Sequence, residues 1–376
     1  RKDSMSRQRV LMVFPYAPSY REPIYELMDK EFDCKFCFCK QTYIKLKYMD
    51  YGLLRDCDQN LEEVVLYRDW IYFRHLSKID LNRYNVVILP GTIRNFSVWS
   101  LMLKIKMFYP KIRTMIWTHG AYGKESRIQY LIKKLFFSLP DNILLYGNYA
   151  KSIIKEHKLA KDSKLTVVYN SLDYETQKKF RNEKNENLFL DHFGNNERNL
   201  VFIGRLTPVK KLDIVVRAIE LLKRRNLYFN LTFIGDGSER QRIVDLAKSL
   251  GVENQVWMYG ETFDEAEISK LLNHADLCVS PGNVGLTAMH ALAYGVPVAT
   301  HNDFKNQMPE FEAISPGKTG FFFKENSVDD LADSIADWFA EKQNRESVRN
   351  ACISEIESRY NPKTQLEILK DVINNH

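Results

Sequence analysis

The chain has 376 residues, of which 45% are hydrophobic and 27% are charged. This composition excludes an intrinsically disordered chain, and the length predicts two domains rather than one. The net charge of +6 fits an anionic ligand or an acidic surface but is too small for a nucleic-acid-binding protein. No apolar run approaches the roughly 20 residues of a membrane-spanning helix, and no signal peptide is visible, so we expect a cytoplasmic protein.

The six cysteines show no disulfide spacing, which fits a reducing compartment. Three of them, Cys34, Cys37 and Cys39, fall in a predicted strand. Because side chains alternate along a strand, Cys37 and Cys39 should face one way and Cys34 the other, and no histidine is close in sequence. We therefore predict reduced thiols and no metal site.

In chain order, the first half alternates strands with helices. A strand at residues 9–14 is followed by a Pro/Tyr loop and by a helix that begins near Ile24. Further strands are predicted at residues 33–38, 64–67, 86–89, 113–117, 142–146 and 165–168. Alternating strands and helices indicate a parallel sheet with helices on both faces.

The polar stretch 178–198 has little apolar periodicity and is predicted to link two domains. The alternation then restarts, with strands at residues 199–203, 229–234, 256–259, 277–279 and 297–300 and helices at 211–224, 239–250, 265–273 and 286–293. An amphipathic segment at 328–340 and a final helix follow. We predict domains at 1–180 and 199–360, a linker at 181–198, and a C-terminal helix at 361–376. Ligands of such doubly wound sheets bind beyond the carboxyl ends of the strands.

A glycine and two cations follow the first strand of the second half. Gly204 ends this strand, and Arg205 and Lys210 lie in the loop after it. The glycine allows a ligand to approach the backbone, while a guanidinium and an ammonium match the geometry and charge of a pyrophosphate. Taken alone, the pattern also fits an ordinary basic surface loop.

A second glycine, Gly285, begins a helix directly after a loop. The free amides and the positive dipole end of a helix start bind anions, although many helix starts are purely structural. Two such sites in succession favour a ligand with two phosphates.

Four patterns occur in order: FIGRLTPVK at 202–210, FIGDG at 233–237, GLTAMHALAYGVPV at 285–298 and PGKTGFFF at 316–323. They resemble the nucleotide-binding domain of GT-B fold glycosyltransferases of the retaining family 4 type. The resemblance is strong over residues 199–323 and weaker over 9–170, where WTHG at 117–120 supports it. It implies an α/β protein with two doubly wound Rossmann-like domains facing a central cleft. The C-terminal helix would cross back to the N-terminal domain.

The resemblance implies a nucleoside-diphosphate sugar, such as a UDP- or GDP-sugar, as donor on the C-terminal domain and an acceptor on the N-terminal domain. Arg205 and Lys210 match the pair that neutralises the departing diphosphate. His119 matches a histidine near the donor sugar, although a histidine held in a turn is the alternative. The predicted donor-binding residues are Gly204, Gly282, Asn283, Val284, Gly285, Leu286, Thr287, His290 and Glu310. Since the leaving phosphate helps to deprotonate the acceptor in enzymes of this kind, we expect no metal ion and no further cofactor.

The chain departs from the family pattern at two positions. Family members usually carry two glutamates separated by seven residues, where this chain has Gly282 and His290. The helix dipole is predicted to keep His290 neutral, so that it can accept one hydroxyl proton but cannot grip a diol with two oxygens. We predict that the polar loop 301–312, and Glu310 above all, supplies part of the donor-sugar contact. A local capping role is the alternative for Glu310.

Two segments, 96–113 and 127–139, mix aromatic, aliphatic and basic residues. The pattern is typical of helices at a membrane interface and equally of core-facing helices with solvated lysines. Interfacial helices would fit peripheral attachment to the inner face of the cytoplasmic membrane and a lipid-linked glycan acceptor.

The sequence therefore predicts a retaining glycosyltransferase of surface polysaccharide or lipopolysaccharide biosynthesis. A nucleotide-sugar epimerase and a non-catalytic GT-B relative, acting as a binding or scaffold subunit, are the alternatives. The missing glutamates favour the scaffold, whereas Arg205, Lys210 and His119 favour the enzyme.

Overall fold

The computed structural model of the protein describes residues 7–40, 47–341 and 344–375. They form two compact units. The first contains the residues up to Ser171 and those from Pro362 onward, and the second is Leu172–Asn361. Within the described residues, no helix is long and apolar enough to cross a bilayer.

The first unit is built on an eight-stranded sheet. Its strands are β1 (Arg9–Val13), β2 (Asp33–Cys39), β3 (Cys57–Val65), β4 (Ile71–Arg74), β5 (Val86–Pro90), β6 (Arg113–Thr118), β7 (Asn142–Leu145) and β8 (Leu165–Val167). Their spatial order is β4-β3-β2-β1-β5-β6-β7-β8, and only the β3–β4 pair is antiparallel. The helices between them are α1 (Glu22–Glu31), α2 (Phe96–Phe108), α3 (Arg127–Ser138) and α4 (Asn148–Glu156).

The central strands are buried on both faces, which explains their almost continuous apolar sequences. Along β1, Leu11 and Val13 pack into one core, whereas Val10 and Met12 pack into the other. The cysteines of β2 follow the same alternation, as predicted: Cys37 and Cys39 join the first core and Cys34 joins the second. Burial raises the pKa of the Cys37 thiol to about 12, so this side chain stays protonated.

The predicted strand at 64–67 is wrong in its bounds. Strand β3 begins at Cys57 and ends at Val65, and an antiparallel neighbour, β4, follows after a short turn. Strand β3 lies next to the edge strand β4, much of it is exposed, and between Asp58 and Glu63 only Leu61 is apolar. A search for apolar runs therefore finds only its end.

The second unit is built on a six-stranded parallel sheet. Its strands are β9 (Arg198–Ile203), β10 (Phe229–Ile234), β11 (Val256–Met258), β12 (Leu277–Ser280), β13 (Val298–His301) and β14 (Gly320–Phe323), in the order β11-β10-β9-β12-β13-β14. Its helices are α5 (Tyr174–Arg181), α6 (Leu188–Phe193), α7 (Asp213–Arg224), α8 (Arg240–Ser249), α9 (Glu265–Leu272), α10 (Leu286–Ala293), α11 (Val328–Ala340) and α12 (Arg345–Arg359).

The segment predicted as a linker at 181–198 is instead part of the second unit. It contains α6, whose Phe189 is buried, and it follows α5, whose Arg181 donates from Nη1 to the carbonyl oxygen of Ala293 at 2.8 Å. Helices α5 and α6 each bury few side chains, so no extended apolar period marks them in the sequence. Helix α12, which was not predicted, has the same character and buries Cys352 and Ile356.

The last helix, α13 (Pro362–Asn374), belongs to the first unit, as the resemblance implies. It packs on α1 and buries Leu369 and Ile373. The Arg113 guanidinium holds its C-terminal end, since Nη2 donates to the carbonyl oxygen of Val372 at 2.7 Å and Nη1 to that of Asn375 at 2.8 Å. A cation at this end also complements the helix dipole.

Candidate functional site

Two loops at the carboxyl edge of the second sheet lie directly on each other. The amide of Gly204 donates to the carbonyl oxygen of Ile234 at 3.0 Å, and that of Leu206 donates to the carbonyl oxygen of Asp236 at 2.9 Å. Gly235 has a φ of +157°, and a Cβ there would lie 1.8 Å from the Gly204 carbonyl oxygen. Only glycine fits this contact, which fixes the course of the loop that carries Arg205 and Lys210.

The neighbouring lysines 210 and 211 point to different partners. Lys210 Nζ donates to the backbone oxygen of Asn283 at 2.8 Å and to its Oδ1 at 2.9 Å. Lys211 Nζ instead bonds Glu325 Oε1 at 2.9 Å and Asn326 Oδ1 at 2.7 Å. Lys210 is therefore the cation that reaches the loop before α10, whereas Lys211 joins two loops of the scaffold.

The two predicted cations differ in their surroundings. Burial is the main cause that lowers the pKa of Lys210 to about 8; the carboxylate of Glu310 opposes this shift, and the charge of Arg205 adds to it. Arg205 is exposed, and its side chain forms no hydrogen bond or ion pair with any residue that the structure describes. A desolvated ammonium beside an available guanidinium favours the binding of an anion.

Helix α10 starts beside the same loop. Its N-cap is Gly285, and the Thr287 hydroxyl donates to the carbonyl oxygen of Ile203 at 2.6 Å. A Cβ on Gly204 would lie 3.2 Å from Thr287 Oγ1, so the end of β9 and the helix start are in contact. First-turn amides of a helix have no intrahelical acceptor and bind anions. The structure thus brings the predicted residues of 204–210 and 282–287 together.

Steric contacts explain why glycine occupies position 282. A Cβ at this position would lie 2.0 Å from the carbonyl oxygen of Val209 and 2.6 Å from the Cα of Lys210. The Gly282 amide also donates to the Lys210 carbonyl oxygen at 2.9 Å. Backbone packs on backbone here, so this fold of the loop has no room for the glutamate that the family pattern carries.

The loop that follows β13 holds the glycine loop in place. Gln307, which is buried, accepts from the amide of Val284 through Oε1 at 2.8 Å. Its Nε2 donates to Thr300 Oγ1 at 2.9 Å and to the His301 carbonyl oxygen at 3.0 Å. In the sequence, Gln307 is only one of several polar residues of the loop 301–312. Its partner at 284 is 23 positions away, and no local pattern reveals it.

His290 lies next to a carboxylate that the sequence analysis missed. Its Nε2 is 2.8 Å from Oε1 of Glu265, which also accepts from the Tyr294 hydroxyl at 2.7 Å. Burial opposes ionisation of Glu265, but these two contacts outweigh it and hold its pKa below the usual value. Because a carboxylate only accepts, Nε2 carries a proton, and in the neutral ring Nδ1 is the acceptor.

The third predicted catalytic residue, His119, lies in the first unit. It follows β6 directly, and Lys133 fixes its loop by donating to the Gly120 carbonyl oxygen at 2.5 Å and to Glu125 Oε1 at 2.7 Å. Burial lowers the pKa of His119 to about 4, and the charges of Arg21 and Lys133 add to the effect. The imidazole is therefore neutral at physiological pH.

We expect Gly282→Ala to lower the free energy of unfolding by about 1–3 kcal/mol, because the added methyl group must displace the 208–210 backbone. Chemical denaturation measures this loss. Gly285→Ala is the control, since a Cβ there meets nothing within 4 Å. Equal stability of the two variants would contradict the backbone contact.

Comparison with known proteins agrees with this geometry. Residues 183–355 match the family model described as Glycosyl transferases group 1. The chain is 26% identical to an uncharacterized glycosyltransferase of Methanocaldococcus jannaschii over 229 aligned residues. The aligned segment covers 57% of this chain and 54% of that protein. The chain thus spans about half the length of the curated relatives it matches.

Two solved structures share the whole fold. A glycosyltransferase from Rickettsia africae aligns with a TM-score of 0.74 at 17% identity, covering 98% of this chain and 100% of that one. Anabaena HepE in complex with UDP aligns with a TM-score of 0.73 at 13% identity, with the same coverage. Residues 183–355 are thus similar to the group 1 glycosyltransferases, and the chain has the GT-B fold of these solved structures.

Proposed function

We propose that the protein is a retaining glycosyltransferase that moves a sugar from a nucleoside-diphosphate sugar to a glycan acceptor. The observation that carries the proposal is the convergence of Arg205, Lys210 and the start of α10 on one edge of the second sheet. The diphosphate gains negative charge as the bond to the sugar breaks. Cations and a helix start placed beside it stabilise that charge. The HepE structure with UDP supports a nucleotide as the ligand class.

The individual residues have distinct proposed roles. The Arg205 guanidinium matches two phosphate oxygens, and the partly buried ammonium of Lys210 supplies a point charge. His290, oriented by Glu265, accepts one ribose hydroxyl through Nδ1. Glu310 contacts the donor sugar. Its side chain is buried, and its charge acts on Lys210.

The proposal assigns no metal ion and no further cofactor to the reaction. Within the part of the chain that the structure describes, no three His, Cys, Asp or Glu side chains gather closely enough to hold a metal ion. His119 is proposed to act near the donor sugar as a neutral hydrogen-bonding group.

We further propose that the first unit contacts an anionic membrane surface through α3. This helix buries only Phe136 and Phe137. Ile128, Leu131 and Leu135 are 71%, 59% and 56% exposed, and their spacing places them on one helix face. This exposure favours the interfacial alternative for 127–139 over a core-facing helix.

Basic residues also lie beside α3. The lining of a surface cavity of about 600 Å³ includes Lys134, Lys155, Lys158, Lys161 and Lys164 and one carboxylate, Asp162. In the other candidate interfacial segment, 96–113, helix α2 exposes the apolar side chains of Met107 and Phe108. Apolar insertion combined with clustered lysines suits an anionic leaflet, and a membrane position suits a lipid-linked glycan acceptor.

Nucleoside diphosphates and their sugars should raise the melting temperature of the wild-type protein. A ligand at about 100 times its Kd adds about 2.7 kcal/mol of stability. Arg205→Met should abolish the shift, and Arg224→Met, an exposed α7 variant, should preserve it. Absence of any shift in the wild type would favour the non-catalytic alternative, and a shift retained by Arg205→Met would contradict the diphosphate site.

Diphosphate affinity should fall as the pH rises through the pKa of Lys210, about 8 in the free protein, because the ammonium loses its charge. The affinity should fall by up to about tenfold per pH unit along this alkaline limb of the pH profile. Because a bound anion raises the pKa of Lys210, the limb ends at a higher pH than the pKa of the free protein. Calorimetric titration with UDP over roughly pH 6.5–10 measures this fall in affinity.

Two variants test the assignment of this limb. Glu310→Gln removes a charge that raises the pKa of Lys210, so the limb should move to lower pH. Lys210→Met should remove the limb altogether. An unshifted limb in Glu310→Gln would contradict the coupling, and a limb that persists in Lys210→Met would assign it to another group.

The membrane proposal predicts that the wild type floats with vesicles of phosphatidylglycerol but not with vesicles of phosphatidylcholine. The triple variant Ile128→Ser, Leu131→Ser, Leu135→Ser should stay in solution. A matched control changes three exposed apolar residues of the second unit, Leu190, Leu227 and Phe263, to Ser. Failure of the wild type to float, or equal loss in both triple variants, would refute the proposal.

A further inference from the structure

A buried cation lies at the carboxyl edge of the first sheet. Arg21, directly before α1, is only 6% exposed. Its guanidinium lies 4.7 Å from the ring centre of Trp117 and 5.1 Å from that of Tyr146, and Nη2 donates to the Tyr146 hydroxyl. Trp117 lies near the end of β6 and Tyr146 follows β7. Three chain segments thus place Arg21 at the edge where ligands of parallel sheets bind.

No carboxylate of the described residues lies within ion-pair distance of this guanidinium. Burial disfavours its charge, yet the phenol groups of Tyr146, Tyr20 and Tyr25 hold its pKa above the ordinary value. Glu22, the adjacent acid, accepts instead from the amide of Asp50 at 3.3 Å. Because arginine stays charged and buried charges are normally paired, the site has an uncompensated positive charge.

Two donors in this cluster also have no acceptor among the residues that the structure describes. Arg21 Nη1 and Trp117 Nε1 are both buried without a hydrogen-bond partner there. Each group can only donate, and a buried donor left without an acceptor costs about 1–3 kcal/mol. A ligand that offers negatively charged oxygen would supply what both atoms require.

His119 connects this cluster with the proposed reaction. Its ring centre lies 4.6 Å from that of Tyr146, and the charge of Arg21 contributes to its low pKa. His119, Tyr20 and Tyr146 are partly exposed, whereas Arg21 and Trp117 are buried beneath them. The N-terminal end of α1 adds a positive dipole on the same side as Arg21.

We propose that Arg21, Trp117, His119 and Tyr146, here called the Arg21 cluster, bind an oxyanion carried by the acceptor, either a phosphate or a carboxylate group. The anion bonds Arg21 Nη1 and Trp117 Nε1, and its neutral part contacts the exposed rings of Tyr20 and Tyr146. The acceptor role rests on the proposed function, whereas the anion site itself does not. The acceptor is then an anionic molecule whose charge lies close to His119.

The test is a titration with inorganic phosphate and, separately, with acetate, at constant ionic strength. Fluorine NMR of protein labelled with 5-fluorotryptophan reports on the site, since the chain has only five tryptophans and Trp117→Phe identifies the resonance. We expect a saturable shift of the Trp117 signal. Arg21→Met should weaken binding by about tenfold or more, Arg21→Lys by less, and exposed Arg94→Met should not affect it.

The outcomes separate this inference from the proposed function. A Trp117 signal that responds to neither anion, or equally in wild type and Arg21→Met, overturns the anion site. The anion with the stronger saturable effect identifies the acceptor group as phosphate or carboxylate. Unchanged signals of the other four tryptophans show that Arg21→Met is folded. If Arg21→Met does not fold, the anion affinity of Arg21→Lys is compared with that of the wild type instead. Nucleotide binding to the second unit is measured independently by the thermal shift.

Discussion

The candidate donor site depends on backbone packed against backbone at the carboxyl edge of the second sheet. Gly235 touches the carbonyl group of Gly204, and Gly282 touches the turn at Val209 and Lys210. These contacts bring three loops close enough for Lys210 to bond Asn283 and for Thr287 to bond the end of β9. A lysine, an arginine and a helix start therefore occupy a small region, which close contacts between backbones make possible.

The same contacts explain why this chain departs from the family pattern at Gly282. Close packing at Gly282 excludes a carboxylate from that loop, and polar support comes from elsewhere in the second unit. Gln307 holds the Val284 amide, and Glu265 stands beside His290. The polar groups near the helix start thus come from neighbouring loops and helices. Under the proposed function, such an arrangement would change which hydroxyl groups of a nucleotide sugar are bonded and would leave the cations for its diphosphate in place.

The alternation of buried strands and helices was predictable, because strands covered on both faces are short apolar runs. The strands β3 and β4 at one end of the first sheet, and the helices α6 and α12, were not predictable, because each has few buried residues and these show no clear period. Arg205, Lys210 and Gly285 could be identified as candidates from the sequence, because they follow a predicted strand or begin a predicted helix. The pairs Glu265–His290 and Gln307–Val284 join residues more than twenty positions apart, and the burial of Arg21 depends on three separate segments. Only the tertiary fold brings such residues together.

The path of the chain has a consequence for how the protein reaches its native state. The chain leaves the first unit at Ser171 and returns to it at Pro362, so the second unit is continuous while the first is closed by α13. Arg113 in the middle of the first sheet bonds carbonyl groups at the end of this helix. During synthesis the second unit can therefore fold as soon as it leaves the ribosome, whereas the first must wait for its last helix. The unit translated first is the one completed last.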